Sequence, residues 1–110
     1  MTEKLSKKTL LHLASEKTNA ELQQVIQMLL SRDCDVNAKD SQKKTPLHIA
    51  CMKGNKEVVR MLLEKNALPD EQMLRFRATP LHLAVFDGNT DIVRLLLAKN
   101  PDLNGTHIHA

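Results

Sequence analysis

The chain has 110 residues, 42% of them hydrophobic and 2% aromatic, which suffices for one domain with an aliphatic core and excludes global disorder. Its formal charge of +3 comes from 16 basic and 13 acidic residues interspersed along the chain, a weak field that argues against a nucleic-acid partner. Three glycines and four prolines are too few for a many-turned β-sandwich, and two cysteines outside any CxxC pair point to a reducing intracellular setting, cytoplasmic or nuclear.

Residues 1–8 form a polar N-terminal leader without the apolar segment of a signal peptide, and no apolar run reaches the length of a membrane span. Thr9-Leu10-Leu11-His12-Leu13-Ala14 then opens a pattern that returns as Thr45-Pro46-Leu47-His48-Ile49-Ala50 and Thr79-Pro80-Leu81-His82-Leu83-Ala84. A second block follows each copy: Val25-Ile26-Gln27-Met28-Leu29-Leu30, Val58-Val59-Arg60-Met61-Leu62-Leu63 and Ile92-Val93-Arg94-Leu95-Leu96-Leu97. Both recur with a period of about 34 residues.

Each block predicts a helix. Thr is a good N-cap and Pro suits the first helical position. Gly54 and Gly88 end the first helices in the left-handed region, and Asn55 and Asn89 are placed to cap the second ones. The second helices are too apolar for one free side and require neighbouring repeats on both flanks. They end at Asp33, Asn66 and Asn100, whose short polar side chains tolerate a positive φ. Turn-rich stretches such as residues 35–40 lead to the next Thr-Pro as hairpin-like fingers.

This helix–turn–helix–finger period with its T-P-L-H-x-A motif resembles the ankyrin repeat family over about residues 9–104. The resemblance implies an all-α ankyrin-repeat solenoid of stacked helix-turn-helix units joined by β-hairpin-like fingers. Its repeats fall at 9–44, 45–78 and 79–105, and residues 106–110 form a tail or a truncated fourth repeat. Departures stand out. Leu10 replaces the first Pro, repeat one has three extra residues within Ser15 to Leu22, and the second finger has one extra residue between Asp70 and Thr79. Lys43 and Arg77 stand where the family has Gly, so strain is expected there.

The resemblance also assigns roles. His12, His48 and His82 join Thr9, Thr45 and Thr79 in structural hydrogen bonds. One His per repeat puts the imidazoles too far apart to share a metal. Cys51 beside His48 lies at a small, buried place, where a thiol is inert. With no oxyanion feature, phosphate loop or carboxylate pair, we expect no catalysis, cofactor or metal site. His107 and His109 at the terminus offer at most an adventitious chelate.

A protein partner is expected on the concave face of fingers and first helices, as for an adaptor, scaffold or inhibitor. The pattern places Ser41, Gln42 and Lys44 on the first finger, Met52 and Lys53 then Phe86 and Asp87 on the first helices, and Arg75, Phe76 and Ala78 on the second finger. The run Met73-Leu74-Arg75-Phe76-Arg77 is apolar and basic where a tip is ordinarily polar. Two readings stand: a partner hot spot, or Leu74 or Phe76 tucked against its neighbours. Two other functions stand beside a binding module. The chain is then a structural segment of a longer array, or it binds nucleic acid through a basic edge of Lys4, Lys7, Lys8, Lys43 and Lys44. Ile92, Val93, Leu95, Leu96 and Leu97 have no following helix pair, which predicts fraying or self-association at the third repeat.

Overall fold

A computed structural model of the chain describes residues 10–16, 20–32 and 35–99. Among these described residues six α-helices follow in order: α1 (Leu10–Ser15), α2 (Ala20–Leu30), α3 (Pro46–Met52), α4 (Lys56–Glu64), α5 (Pro80–Asp87) and α6 (Thr90–Lys99), with one 3-10 turn at Arg75–Arg77. They stack as three antiparallel pairs. The first helices α1, α3 and α5 form one row and the second helices α2, α4 and α6 another; each helix packs on its own partner and on its counterpart in the next pair.

The helix starts follow local chemistry. Thr45 and Thr79 sit at extended φ/ψ, their hydroxyls accept from the backbone N–H of His48 and His82, and Pro46 and Pro80 take the first turn. The stops follow local chemistry too. Gly54, Asn66 and Gly88 all adopt positive φ. After each, the next N–H reaches back five residues: Asn55 to Ala50, Ala67 to Leu62 and Asn89 to Ala84, at 2.9, 3.0 and 3.0 Å. The expected stops at Asp33 and Asn100 lie outside the described residues, as does Thr9. Of the two expected caps, Asn89 Oδ1 accepts from Ile92 N–H, whereas the buried Asn55 side chain makes no cap bond to α4.

The extra residues of repeat one lengthen a helix. Gln23 corresponds to Lys56, the first residue of α4, yet α2 already begins at Ala20.

The core lies between the two rows. Ile26, Leu47, Val58, Val59, Leu62, Ile92 and Leu96 are fully buried, as are the small Ala50 and Ala84 among them. Burial on both flanks explains why α4 tolerates Val58, Val59, Leu62 and Leu63 in so short a span. In the third pair Ile92 and Leu96 are buried as well, covered from one side, while Val93, Leu95 and Leu97 are half-buried.

Candidate partner-binding site

The fingers are anchored at their bases by the repeated histidine. His48 Nδ1 accepts from the Thr45 N–H at 3.0 Å and lies 2.9 Å from its hydroxyl. Its other nitrogen, Nε2, therefore carries the hydrogen and donates to the Ala78 carbonyl, 3.0 Å away in the second finger. His12 Nε2 donates in the same way to Lys44 O at 2.7 Å, in the first finger. His82 repeats the inner half, with Nδ1 accepting from Thr79 N–H at 3.1 Å. Its ring is exposed, and no carbonyl among the described residues meets its Nε2. His12 and His48 thus tie a first helix to the carbonyl of a finger, whereas His82, among the described residues, bonds only to Thr79 at its own helix start.

Burial holds the His48 pKa below its usual 6.5, partly opposed by the Ala78 and Glu71 backbone and the charges of Glu71 and Asp40. The native state thus favours the neutral ring. Its contribution is complete above about pH 6.5 and is lost as pH falls below that, because the unfolded chain then binds the extra proton. We expect urea midpoints to fall between pH 7.5 and pH 5 (roughly the range over which His titrates), with a shallower fall in His48→Gln; equal slopes would show that another group carries the effect. Cys51 is fully buried, its thiol pushed up to about 12 by desolvation, which keeps it protonated and unreactive.

The two fingers differ at their tips. In the first, Asp40 N–H donates to Lys44 O at 3.0 Å, and the buried Asp40 carboxylate accepts from the amides of Gln42 and Lys44. One tip residue, Lys43, turns through φ 63. In the second, Met73 takes the place of Asp40, its N–H donating to Ala78 O at 2.9 Å. The loop so closed is one residue longer, and it is accommodated by two left-handed residues, Phe76 at φ 58 and Arg77 at φ 51.

That closure decides which apolar side chain goes inside. Met73 is buried at 6% exposure, so its expected place among the exposed binding residues is corrected: its side chain lies inside while its N–H closes the finger on Ala78 O. Leu74 is 59% and Phe76 87% exposed, so neither is tucked against its neighbours. Arg75 stacks on the Phe76 ring, its guanidinium 5.5 Å from the centroid. The fingers lie side by side, with Leu74 N–H donating to Gln42 O at 2.9 Å and Lys39 paired with Glu71 at 3.0 Å.

Ser41, Gln42, Lys53 and Asp87 are exposed, Lys44 is half-buried and Ala78 is buried. Met52 and Phe86 occupy the same position in successive first helices, exposed to 44% and 93%. Met52 stays exposed although α5 packs beside α3, so exposure at this place belongs to the face itself and not to an end of the stack. Val85 behaves otherwise. Its counterparts Ser15 and Cys51 are fully buried, yet Val85 is 59% exposed because no helix pair packs against α5 from its far side among the described residues.

The left-handed φ at Lys43 and Arg77 strains side chains that carry a Cβ, at roughly 1 kcal/mol each. Lys43→Gly and Arg77→Gly are each expected to raise the melting midpoint by a few degrees. A fall in either would mean that the side chain makes a stabilising contact outweighing the strain.

Comparison with known proteins fits this architecture. A family profile described as "Ankyrin repeats (3 copies)" matches residues 1–73. The chain belongs to the ankyrin repeat family. A second profile, "Ankyrin repeats (many copies)", matches residues 50–97. Over 59 residues the chain is 48% identical to a probable E3 ubiquitin-protein ligase, XBOS31, of Oryza sativa subsp. japonica; the match covers 54% of this chain and 13% of that protein. It is 39% identical over 69 residues to a transient receptor potential cation channel subfamily A member 1 homolog of Caenorhabditis elegans, covering 63% and 6% respectively. It is also 41% identical over 59 residues to the putative ankyrin repeat protein FPV219 of Fowlpox virus, covering 54% and 13%. The matched region is thus a small part of each relative. Ankyrin repeats are generally protein–protein interaction modules. Among the described residues no helix is long and apolar enough to cross a membrane, and no group of His, Cys, Asp or Glu is arranged to hold a metal. His107 and His109 lie outside the described residues.

Proposed function

We propose that the chain binds a protein partner on the face built from the two fingers and the C-terminal ends of α3 and α5, as an adaptor, scaffold or inhibitor inside the cell. The observation that carries this reading is Phe76, a large aromatic held 87% exposed at positive φ on a finger whose base is clamped by Met73 and His48. A core would claim such a side chain, and strain is retained where a site uses it. Leu74, Arg75, Met52 and Phe86 supply the rest of an interface rich in apolar, aromatic and Arg side chains. Ser41, Gln42, Lys44, Lys53 and Asp87 form its polar surround, and no step of chemistry is assigned to any of them.

The test is affinity capture from source cells with the wild type and with the Phe76→Ala, Phe86→Ala double variant. Proteins retained by the wild type and lost by the variant support the face; identical capture by both places binding elsewhere.

A second reading is a segment within a longer ankyrin stack, with repeats at 9–44, 45–78 and 79–105. The exposed ring of His82 and the exposed Val85 favour it, since both present stacking surface. Self-association through that surface is the same reading with a second copy as neighbour. A melting midpoint that rises with protein concentration supports this reading, and one that stays constant opposes self-association.

A further inference from the structure

The finger tips concentrate charge that the rest of the molecule neutralises. Lys43, Lys44, Arg75 and Arg77 stand on two fingers joined by the Leu74–Gln42 bond, and no ion pair engages any of them among the described residues. The pairs that do form lie elsewhere: Lys39 with Glu71 beneath the tips, and Lys56 with Asp91 and Arg60 with Glu57 on the second helices. Within the first finger Asp40 is buried and turned onto backbone amides, so it offsets little of the tip charge toward an incoming ligand, while the exposed Asp35 stands at the start of the finger, its carboxylate accepting from the Asn37 amide. Between these cations lie the exposed Leu74 and Phe76, and the Arg75–Phe76 stack holds a guanidinium beside an apolar face.

We propose that the occupant of this face is an extended acidic segment of a protein, with apolar side chains spaced between its carboxylates. The inference rests on the partner-binding reading above and names the chemistry of that partner. Guanidinium forks bind carboxylates bidentately, and apolar groups of the segment cover Phe76 and Leu74. A nucleic acid would also find the cations. The chain, however, offers only two aromatic residues, one of them on a finger, where single strands need stacking platforms in series.

The experiment is fluorescence anisotropy with three labelled probes: a peptide of repeated Glu-Asp-Phe-Gly-Glu-Leu units, the same peptide with Gln and Asn for its acids, and DNA oligonucleotides, single-stranded and duplex. The acidic peptide is expected to bind about tenfold tighter than its amide counterpart, and to weaken about tenfold between roughly 50 and 500 mM salt. Arg75→Glu with Arg77→Glu abolishes that preference at an unchanged melting midpoint. Should this pair perturb the strained turn, Lys43→Gln with Arg75→Gln provides the same reading. Equal binding of the amide peptide, no binding of the acidic one, undiminished affinity in the charge variants, or tighter binding of DNA each overturns the proposal. If capture from cells still depends on Phe76 and Phe86 while the acidic peptide fails, the face stands and only the acidic occupant falls.

Discussion

Replacing Leu62 with Ala is expected to lower the unfolding free energy by about 3 kcal/mol, on the scale measured for buried Leu truncations. Leu62 is fully enclosed on α4, the helix that packs on α2, α3 and α6 together. A cavity there loosens the interfaces between all three helix pairs, and neighbour interfaces are what stabilise a short stack. Domains of this kind hold about 5–15 kcal/mol in total. With a urea slope of about 1.5 kcal/mol per molar, the midpoint should drop by about 2 M. Met28→Ala, on the outer face of α2 and 62% exposed, should change stability by less than about 0.5 kcal/mol. A Leu62→Ala cost no greater than that of Met28→Ala would mean the stack is not held by this core.

Phe76→Ala should give the opposite pattern. At 87% exposure the ring contributes little burial, and its removal should leave the melting midpoint unchanged or slightly higher, because Ala bears the left-handed φ with less crowding. Binding should suffer instead. An exposed aromatic anchor on an interface commonly carries about 2 kcal/mol or more, so affinity for the captured partner should fall about 30-fold. Isothermal titration and a thermal melt on the same preparation separate the two effects. A loss of several kcal/mol in stability would assign Phe76 to the fold.

These contrasts show what the sequence made legible. The helix starts could be read because they are local: Thr, Pro and His lie within four residues, and their bonds close within one turn. The stops at Gly54, Asn66 and Gly88 were legible for the same reason, since each needs only a residue that accepts positive φ. The strain at Lys43 and Arg77 followed from a family turn that retains its shape without its Gly. Longer-range outcomes were not legible. Which of Met73, Leu74 and Phe76 turns inward depends on where the finger closes, and the Met73–Ala78 bond sets that one residue away from the first finger's pattern. Asn55 resembles Asn89 in sequence, yet Asn55 is buried and its side chain makes no cap bond to α4. Val85 and Phe86 are adjacent and both exposed for different reasons, which only their buried and exposed counterparts in earlier repeats distinguish. The partner face itself is drawn from such exposures, so it rests on three-dimensional packing that no motif states.

The placement of the partner on the fingers and first helices is read from a backbone amide shift map of the bound chain. The largest perturbations are expected at Gln42, Lys43, Arg75, Phe76, Phe86 and Asp87, with Arg60, Glu64 and Arg94 on the second helices unmoved. Perturbations confined to those second-helix residues, with the finger amides unchanged, would contradict that placement.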